Sequence, residues 1–504
     1  MGGSQANEAI EWLIDRGLLL SPEITTKLSN PLFVQKLKTF LDSTTEDDPF
    51  TLNEKILALD DEETSEVEEE KEVVEEEVNS EEKQHKFNVE IEKSYDKLPS
   101  DKKMIDFVKF FNARYKALEQ MISSRAQMQG RISIGRLKNK DDRQMVSIVG
   151  LVKDKEFTKN GHLILTMEDP TGSFKVLISK TKADLFNDGS ELTLDEVIGV
   201  VGTTSKTLIF ATEIIWPEVP FMELKKGEVD EYAIFLSDIH IGSKDFLGKE
   251  LDRFIKWLNG EVGSPKNKMI ASKVKYVFIA GDLVAGVGIY PSQYDDLVIK
   301  DIHEQYNAVI KLIDQIPKDK AVIISPGNHD AMRMSEPQPR LPRDLVEDLY
   351  HMENVFLVSN PAYVNIAKTD TFPGFNVLVY HGYCFDYYVA NIEYIRNSGG
   401  YDRADLIMKF LLKRRHLAPS YSSTLYVVDP EKDNLVIEQV PDIFLTGHIH
   451  KSALKNHRNI TLVCGSCWES KTAFQEKVGH NPEPCRVPII HLKSRKMKIL
   501  KFIH

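Results

Sequence analysis

The chain has 504 residues, 42% of them hydrophobic and 28% charged, with four cysteines and a net charge of −13. That length holds two or three cores at ~100–200 residues per domain, four cysteines are too few for a disulfide framework, and no apolar run reaches the roughly 18–20 residues of a membrane span. With Glu8, Glu11 and Asp15 among them, the first thirty residues do not read as a basic-then-apolar leader, so an intracellular place is expected.

Residues 5–43 show helical spacing, with Ile10, Leu13 and Ile14, then Val34, Leu37, Phe40 and Leu41, broken at Ser21-Pro22 and Asn30-Pro31. A small helical module over 1–45 is expected, marginal by itself. From Glu46 to Glu82 there are 18 acidic and 2 basic residues, a local charge of −16 that leaves +3 for the rest, so the net acidity does not argue against a nucleic-acid partner. Such a stretch cannot bury enough apolar surface to offset its ordering entropy, and 46–90 reads as a disordered acidic linker.

Over 91–144 a helical arm is expected. Met104, Val108, Phe111, Tyr115, Leu118 and Ile122 recur at steps of four and three, one stripe of a helix ending near Gly130. Such a stripe either packs on its own protein or serves a subunit contact. From Met145 the period changes to five short β-type runs, MVSIVGLV, HLILTMED, FKVLIS, VIGVVGTT and LIFATEII, with turns at Lys159-Asn160-Gly161 and Asp169-Pro170-Thr171-Gly172. Five strands in this space fit a closed OB-type β-barrel over 145–222. Its aromatics are sparse, Phe157, Phe174 and Phe210 being the main ones, so a scaffolding role is expected before a strand-binding one.

Residues 223–504 alternate longer apolar runs with helical stretches, an α/β or α+β layout of one large domain. Five of its apolar runs end alike: YAIFLSDIH in Asp238 and His240, YVFIAGD in Asp282, AVIISPGNHD in Asn328, His329 and Asp330, NVLVYHG in His381, DIFLTGHIH in His448 and His450. One histidine at a strand end is an ordinary surface or core residue. Five coincident endings are a site, delivered at the carboxyl ends of strands where α/β sheets place them. Oxygen and imidazole donors without thiolate suit Mn²⁺, Fe or Zn²⁺, and a shared carboxylate permits an ion pair that hydrolyses phosphoesters. Cys464-Gly-Ser-Cys467 has no second pair to complete a zinc site and reads as strand residues, its pairing left open.

At these residues the sequence resembles the calcineurin-like metallophosphoesterases, whose D-x-H, G-D, G-N-H-D/E, H and G-H-x-H pattern runs in order from Asp238 to His450. GNHDAMRMSEPQPRLP, LLKRRHLAP and NLVIEQVPDIFLTGHIH, after an OB-type barrel, are similar more narrowly to the small subunits of archaeal family-D DNA polymerases. The resemblance implies a two-sheet α/β sandwich in the last domain and two divalent metal ions. Asp238, His240 and His450 would hold one ion, Asn328, His381 and His448 the other, with Asp282 bridging. His329 would act as proton donor, its ring oriented by Asp330. It further implies a 3′ to 5′ proofreading exonuclease acting on single-stranded or frayed DNA 3′ ends, partnered by a large catalytic subunit in the cytoplasm of an archaeal cell. Among the basic residues between ligand segments (Arg333, Arg340, Arg343, Lys413, Arg414, Arg415), Arg333 and Arg340 are the first candidates for phosphate contact. Two other readings stay open: a stand-alone phosphoesterase or break-repair nuclease, and a scaffold that keeps the metal site for folding.

Overall fold

The computed structural model describes residues 37, 83–84, 86–97, 100–472, 475–476 and 480–503. The chain divides into two units, Met1–Lys83 and Gln84–His504, and the elements below all belong to the second. The helical module expected over 1–45 and the acidic stretch to Glu82 lie outside the described residues, residue 37 excepted. No helix among the described residues is long and apolar enough to cross a membrane.

The first strand among the described residues is β1 (Val89–Lys93), where the sequence predicts the end of a linker and the start of a helical arm. VEIEK alternates, with Val89 buried and Glu90 exposed, and this period of two is hidden in sequence by the acidic residues before it. Helix α1 (Met104–Ser123) follows, with Phe110, Arg114, Leu118 and Ile122 on its buried face. Leu118 and Ile122 pack on Val149, Leu151, Val197 and Ile215 of the barrel wall. Part of the expected stripe is therefore displaced: Met104 and Val108 are exposed, and Arg114 takes a buried position because a carboxylate waits for it in the last domain.

Strands β2 (Met145–Phe157), β3 (Leu163–Asp169), β4 (Gly172–Ile178), β5 (Val197–Thr204) and β6 (Leu208–Ile215) close a barrel in the order β2-β3-β4-β6-β5, with α2 (Ala183–Ser190) between β4 and β5. The five runs read from the sequence are these five strands. Alternate residues such as Ile148, Leu163, Leu165, Val176 and Val200 fill the interior. The β3–β4 turn is held by the Asp169 carboxylate, which accepts from the Thr171 and Gly172 amides at 2.8 and 3.1 Å.

The rest of the chain builds two six-stranded sheets. In order come β7 (Tyr232–Leu236), α3 (Gly248–Leu258), α4 (Pro265–Ser272), β8 (Val274–Ala280), α5 (Ile302–Asp314), β9 (Ala321–Ser325), α6 (Arg343–His351), β10 (Val355–Leu357), β11 (Ala362–Ile366) and β12 (Phe375–Val379). Then follow α7 (Phe385–Asn391), α8 (Glu393–Asn397), α9 (Ala404–Arg414), β13 (Ile443–Thr446), β14 (Ala453–His457), β15 (Ile460–Cys464), β16 (Arg486–His491) and β17 (Met497–Lys501). One sheet has the order β10-β9-β8-β7-β16-β17 and the other β1-β11-β12-β13-β15-β14. Phe235, Phe278 and Ile323 of the first meet Val364, Val377, Leu445 and Val463 of the second in a shared core. Residues of opposite parity pack outward, Ile234 and Ile279 against Phe254 of α3 and Val309 of α5, and Leu378 and Phe444 against Ile407 and Leu411 of α9. Strands buried on both faces read as continuous apolar runs without alternation, so what marks them in the sequence is the polar ending of each run and not a period of two.

Candidate metal centre

The parallel strands β7, β8 and β9 of one sheet and β12 and β13 of the other all point their carboxyl ends at one place. Just past those ends stand Asp238 and His240, Asp282, Asn328 to Asp330, His381, and His448 with His450. A side chain leaving an extended strand points to one face of the sheet and not over its end. The chain solves this by turning left-handed at the functional residues themselves, with φ of 52° at Asp238, 54° at His240, 54° at Asp282, 70° at His448 and 53° at His450. Neighbouring glycines supply close approach. A Cβ on Gly327 would lie 2.2 Å from Asp282 Oδ1, and one on Gly281 2.6 Å from His381 Nδ1.

Three groups of side chains bring their donor atoms within 4.8 Å of one another: Asp238, His240 and His450; His240, Asp282 and His329; Asp238, Asp282 and His381. Asp282 joins the two halves, its Oδ2 being 3.3 Å from His381 Nε2 and 3.8 Å from His240 Nε2. The Asn328 carboxamide oxygen lies 3.0 Å from His381 Nε2 and 2.9 Å from His448 Nδ1. Asp238 and Asp282 are fully buried, while Asn328, His329 and His448 are half-buried and form the open side. A cleft of about 130 Å³ opens there.

The donor set fits divalent cations. Two buried carboxylates have imidazoles as their only ion-pair partners among the described residues, with no Lys or Arg. Besides these they accept only from the His448 amide, at Asp238, and the His329 amide, at Asp282, and buried charge without a cation is costly. His240 and His450 turn their Nε2 atoms to each other at 3.0 Å, an arrangement that suits two donors to one centre. Burial opposes a charge on His381, yet the Asp282 carboxylate beside it raises its pKa to about 10. Against the same burial, His381 holds Asp282 well below the usual carboxylate range. All four cysteines are free, Cys464 and Cys467 form no disulfide, and no thiol joins the three groups.

Around these donors stands a layer of acceptors that fixes ring orientation. The Ala280 carbonyl accepts from His381 Nδ1 at 2.7 Å, which turns Nε2 inward. Asp386 on α7 lies 3.0 Å from His448 Nε2 and leaves Nδ1 for the centre. Burial opposes its charge, but His448 draws the Asp386 pKa down to about 2. His329 Nδ1 donates to the Ala285 carbonyl at 2.8 Å. This corrects the expected role of Asp330, which does not orient that ring. Its Oδ2 accepts from the Asp282 and Gly327 amides at 2.9 and 2.8 Å, and its Oδ1 lies 3.2 Å from the Tyr306 hydroxyl. Burial, and then the charge of Asp282, raise the Asp330 pKa to about 7. A carboxylate next to histidine in sequence is thus used to tie the turn at Asp282 to the turn at Gly327.

Residues 233–455 match the family model for the B-subunits of DNA polymerases alpha and epsilon, and 146–235 the one described as OB-fold nucleic acid binding domain. The DNA polymerase II small subunit of Methanothermobacter thermautotrophicus is 38% identical over 397 residues, 79% of this chain and 79% of that one. Those of Methanocaldococcus jannaschii and Archaeoglobus fulgidus are each 40% identical, over 77% and 76% of this chain and 64% and 74% of theirs. The chain belongs to the DNA polymerase II small subunits.

In this small-subunit chain the basic residues expected at phosphates are used elsewhere. Arg333 donates to the Pro337 carbonyl at 2.8 Å and lies over the Tyr95 ring, and Arg340 pairs with Asp96 at 3.0 Å. Both clasp the segment after β1, and neither lines the cleft. Lys413 pairs with Asp188 and Arg414 with Glu196 of the barrel domain, so these two join domains. Arg415 donates to the Ile437 carbonyl at 2.6 Å. Sequence reasoning missed Asp386, Gln475, whose amide lies 2.8 Å from His450 Nδ1, and Tyr290 of the cleft wall. HGYCFD carried a signal for Asp386, an acid five residues after the candidate donor His381 on a new helix.

Proposed function

We propose that this chain is the proofreading 3′ to 5′ exonuclease subunit of an archaeal family-D DNA polymerase, hydrolysing DNA phosphodiesters at two divalent ions, Mn²⁺ first among them. The observation that carries this reading is the position of Asp282, one carboxylate between two clusters of donors. We assign 145–222 to the OB-fold barrel and 223–504 to a calcineurin-like phosphoesterase domain, its two sheets forming the sandwich. The partners are the large catalytic subunit and a single-stranded or frayed 3′ end.

Asp238, His240 and His450 would hold one ion, and Asn328, His381 and His448 the other, with Asp282 shared. When bound, such ions polarise phosphoryl oxygens and lower the pKa of water toward neutrality. The chain's own residues hold the geometry. The Ala285 carbonyl accepts from His329 Nδ1, so a ring protonated on both nitrogens has its Nε2–H free to give a proton to the departing 3′ oxygen, and returns to the neutral Nδ1–H tautomer. The chemistry acts on the backbone, so an unpaired end of any sequence is a substrate.

The test is incubation of the full chain, alone and with its large subunit, with Mn²⁺ and a labelled 3′-mismatched duplex. Release of mononucleotides by wild type, with a loss of about 10²-fold or more in His329→Ala, is the expected result. Absence of release under both conditions refutes the reading, and activity confined to small phosphoesters favours a stand-alone phosphoesterase.

A further inference from the structure

We propose that the loop from Ala285 to Lys300 is a nucleobase platform, on which Tyr294 stacks the unpaired bases of a strand whose 3′ end enters the cleft. The proposal rests on the exonuclease reading for the identity of the strand, and its own support is independent geometry. Tyr290, Gln293, Asp296 and Leu297 of this loop line the cleft. Tyr294, in their midst, has 56% of its surface exposed, and the Lys300 ammonium lies 4.2 Å from its ring centroid.

An exposed tyrosine is by itself a common surface residue. What separates this one is the rigidity beneath it. Two fully buried glutamines hold the loop from inside. Gln305 accepts from the Gly286 amide at 3.0 Å and donates to the Ile299 carbonyl at 2.8 Å, pinning both ends. Gln293 accepts from the Ile289 amide at 2.9 Å and donates to the Ala285 carbonyl at 2.8 Å, pinning the middle. A merely exposed surface loop needs no buried amides to fix its shape.

The Ala285 carbonyl is also the acceptor of His329 Nδ1. One carbonyl therefore registers both the aromatic loop and the ring that faces the reacting phosphate, which places Tyr294 at a fixed offset from the point of cleavage. Stacking on an aromatic is sequence-tolerant because every base has a π-face, and a neighbouring ammonium strengthens it while meeting a phosphate. The ligand class is thus a single-stranded oligonucleotide and not a small phosphoester.

The experiment measures binding of the full chain, in EDTA, to a duplex whose last three base pairs are mismatched and whose 3′ base is 2-aminopurine. Stacking contributions translate to about 5- to 150-fold in affinity per base. Tyr294→Ala should weaken binding about tenfold and lose the 2-aminopurine quench, while Tyr294→Phe keeps both. With Mn²⁺, the Tyr294→Ala defect should fall in KM and not in kcat. Binding by Tyr294→Ala within twofold of wild type, or an equal loss in Tyr294→Phe, overturns the platform. If wild type, alone and with its large subunit, releases no nucleotide with Mn²⁺, the exonuclease reading falls while the metal-free binding comparison still decides the platform.

Discussion

Replacing Arg114 by methionine should release the helical arm from the last domain. Arg114 Nε lies 2.6 Å from Asp433 Oδ2, and Nη1 donates to the Pro419 carbonyl at 2.9 Å, with both charged side chains at most 1% exposed. The guanidinium is packed among Phe110, Phe111 and Tyr426, whose ring centroids are 5.3, 5.1 and 5.2 Å away. Methionine keeps most of the apolar bulk but leaves Asp433 as a buried anion with only the His416 ring at 2.8 Å and the Leu435 amide at 3.0 Å to hold it. Removing one partner of a buried pair costs about 3–5 kcal/mol, well above the ~0–1 kcal/mol of the surface pairs elsewhere on the chain.

The assay is hydrogen exchange of the α1 amides in the full chain, because unfolding of a multidomain chain has no single free energy. A loss of 3–5 kcal/mol predicts α1 exchange about 10²- to 10³-fold faster or more, at ~1.4 kcal/mol per tenfold. The double variant Arg114→Met, Asp433→Asn removes the orphaned charge and should recover at least half of that loss. Exchange in Arg114→Met within threefold of wild type, or no recovery in the double variant, would show that apolar packing of Leu118 and Ile122 alone holds the arm.

The same cluster predicts a pH dependence. His416 Nδ1 accepts from the Ala418 amide at 2.9 Å while Nε2 faces Asp433, so the folded ring is neutral and burial depresses its pKa. The unfolded ring takes a proton near ~6.5, so the stabilisation is whole above that pH and is lost as pH falls toward the folded pKa, and Asp433, also depressed, adds to the loss in stronger acid. Exchange protection of α1 should therefore fall between pH 7.5 and 5, and His416→Gln should flatten the dependence. At the candidate metal centre, Asp386→Asn should weaken Mn²⁺ binding about 10- to 100-fold by calorimetry, with an unchanged circular dichroism spectrum. Asp330→Ala strands two buried amides at about 1–3 kcal/mol each and should abolish Mn²⁺ binding, whereas His329→Ala should bind Mn²⁺ within a few-fold of wild type. Equal metal affinities in the two variants would refute the role assigned to Asp330.

The five barrel strands were legible because each joins a local period to a turn signal, and the strand ends carrying the seven donors because continuous apolar runs stop abruptly in polar side chains beside glycine. Other features depend on contacts across large sequence separations. Arg114 is buried by a carboxylate 319 positions away, and nothing in a helical stripe reveals that. β1 is a strand because β11 offers it an edge, with Val89 opposite Ile366. Arg333 and Arg340 look available for phosphate until Tyr95 and Asp96 are seen beside them. The role of Asp330 failed for a related reason: adjacency to His329 suggested a pair, but successive residues at a turn diverge, and the carboxylate found the two amides in front of it.

The five left-handed residues explain why the site is built on a double-sheet core. Each non-glycine residue at positive φ costs of the order of 1–2 kcal/mol, so Asp238, His240, Asp282, His448 and His450 together hold strain of ~5–10 kcal/mol against the folded state. That is comparable to the net stability of a whole domain, ~5–15 kcal/mol. The strain persists because each of these residues closely follows a strand packed on both faces, and because backbone bonds lock the turns to one another, Asp238 N to Gly281 O at 3.0 Å and His240 N to Asp282 O at 3.1 Å. Relaxing any single turn to ordinary φ would swing its side chain away from the cluster and break a bond to the next turn. The set therefore stays or fails together, and this cooperativity lets seven side chains spread over more than two hundred positions present one rigid arrangement of donors.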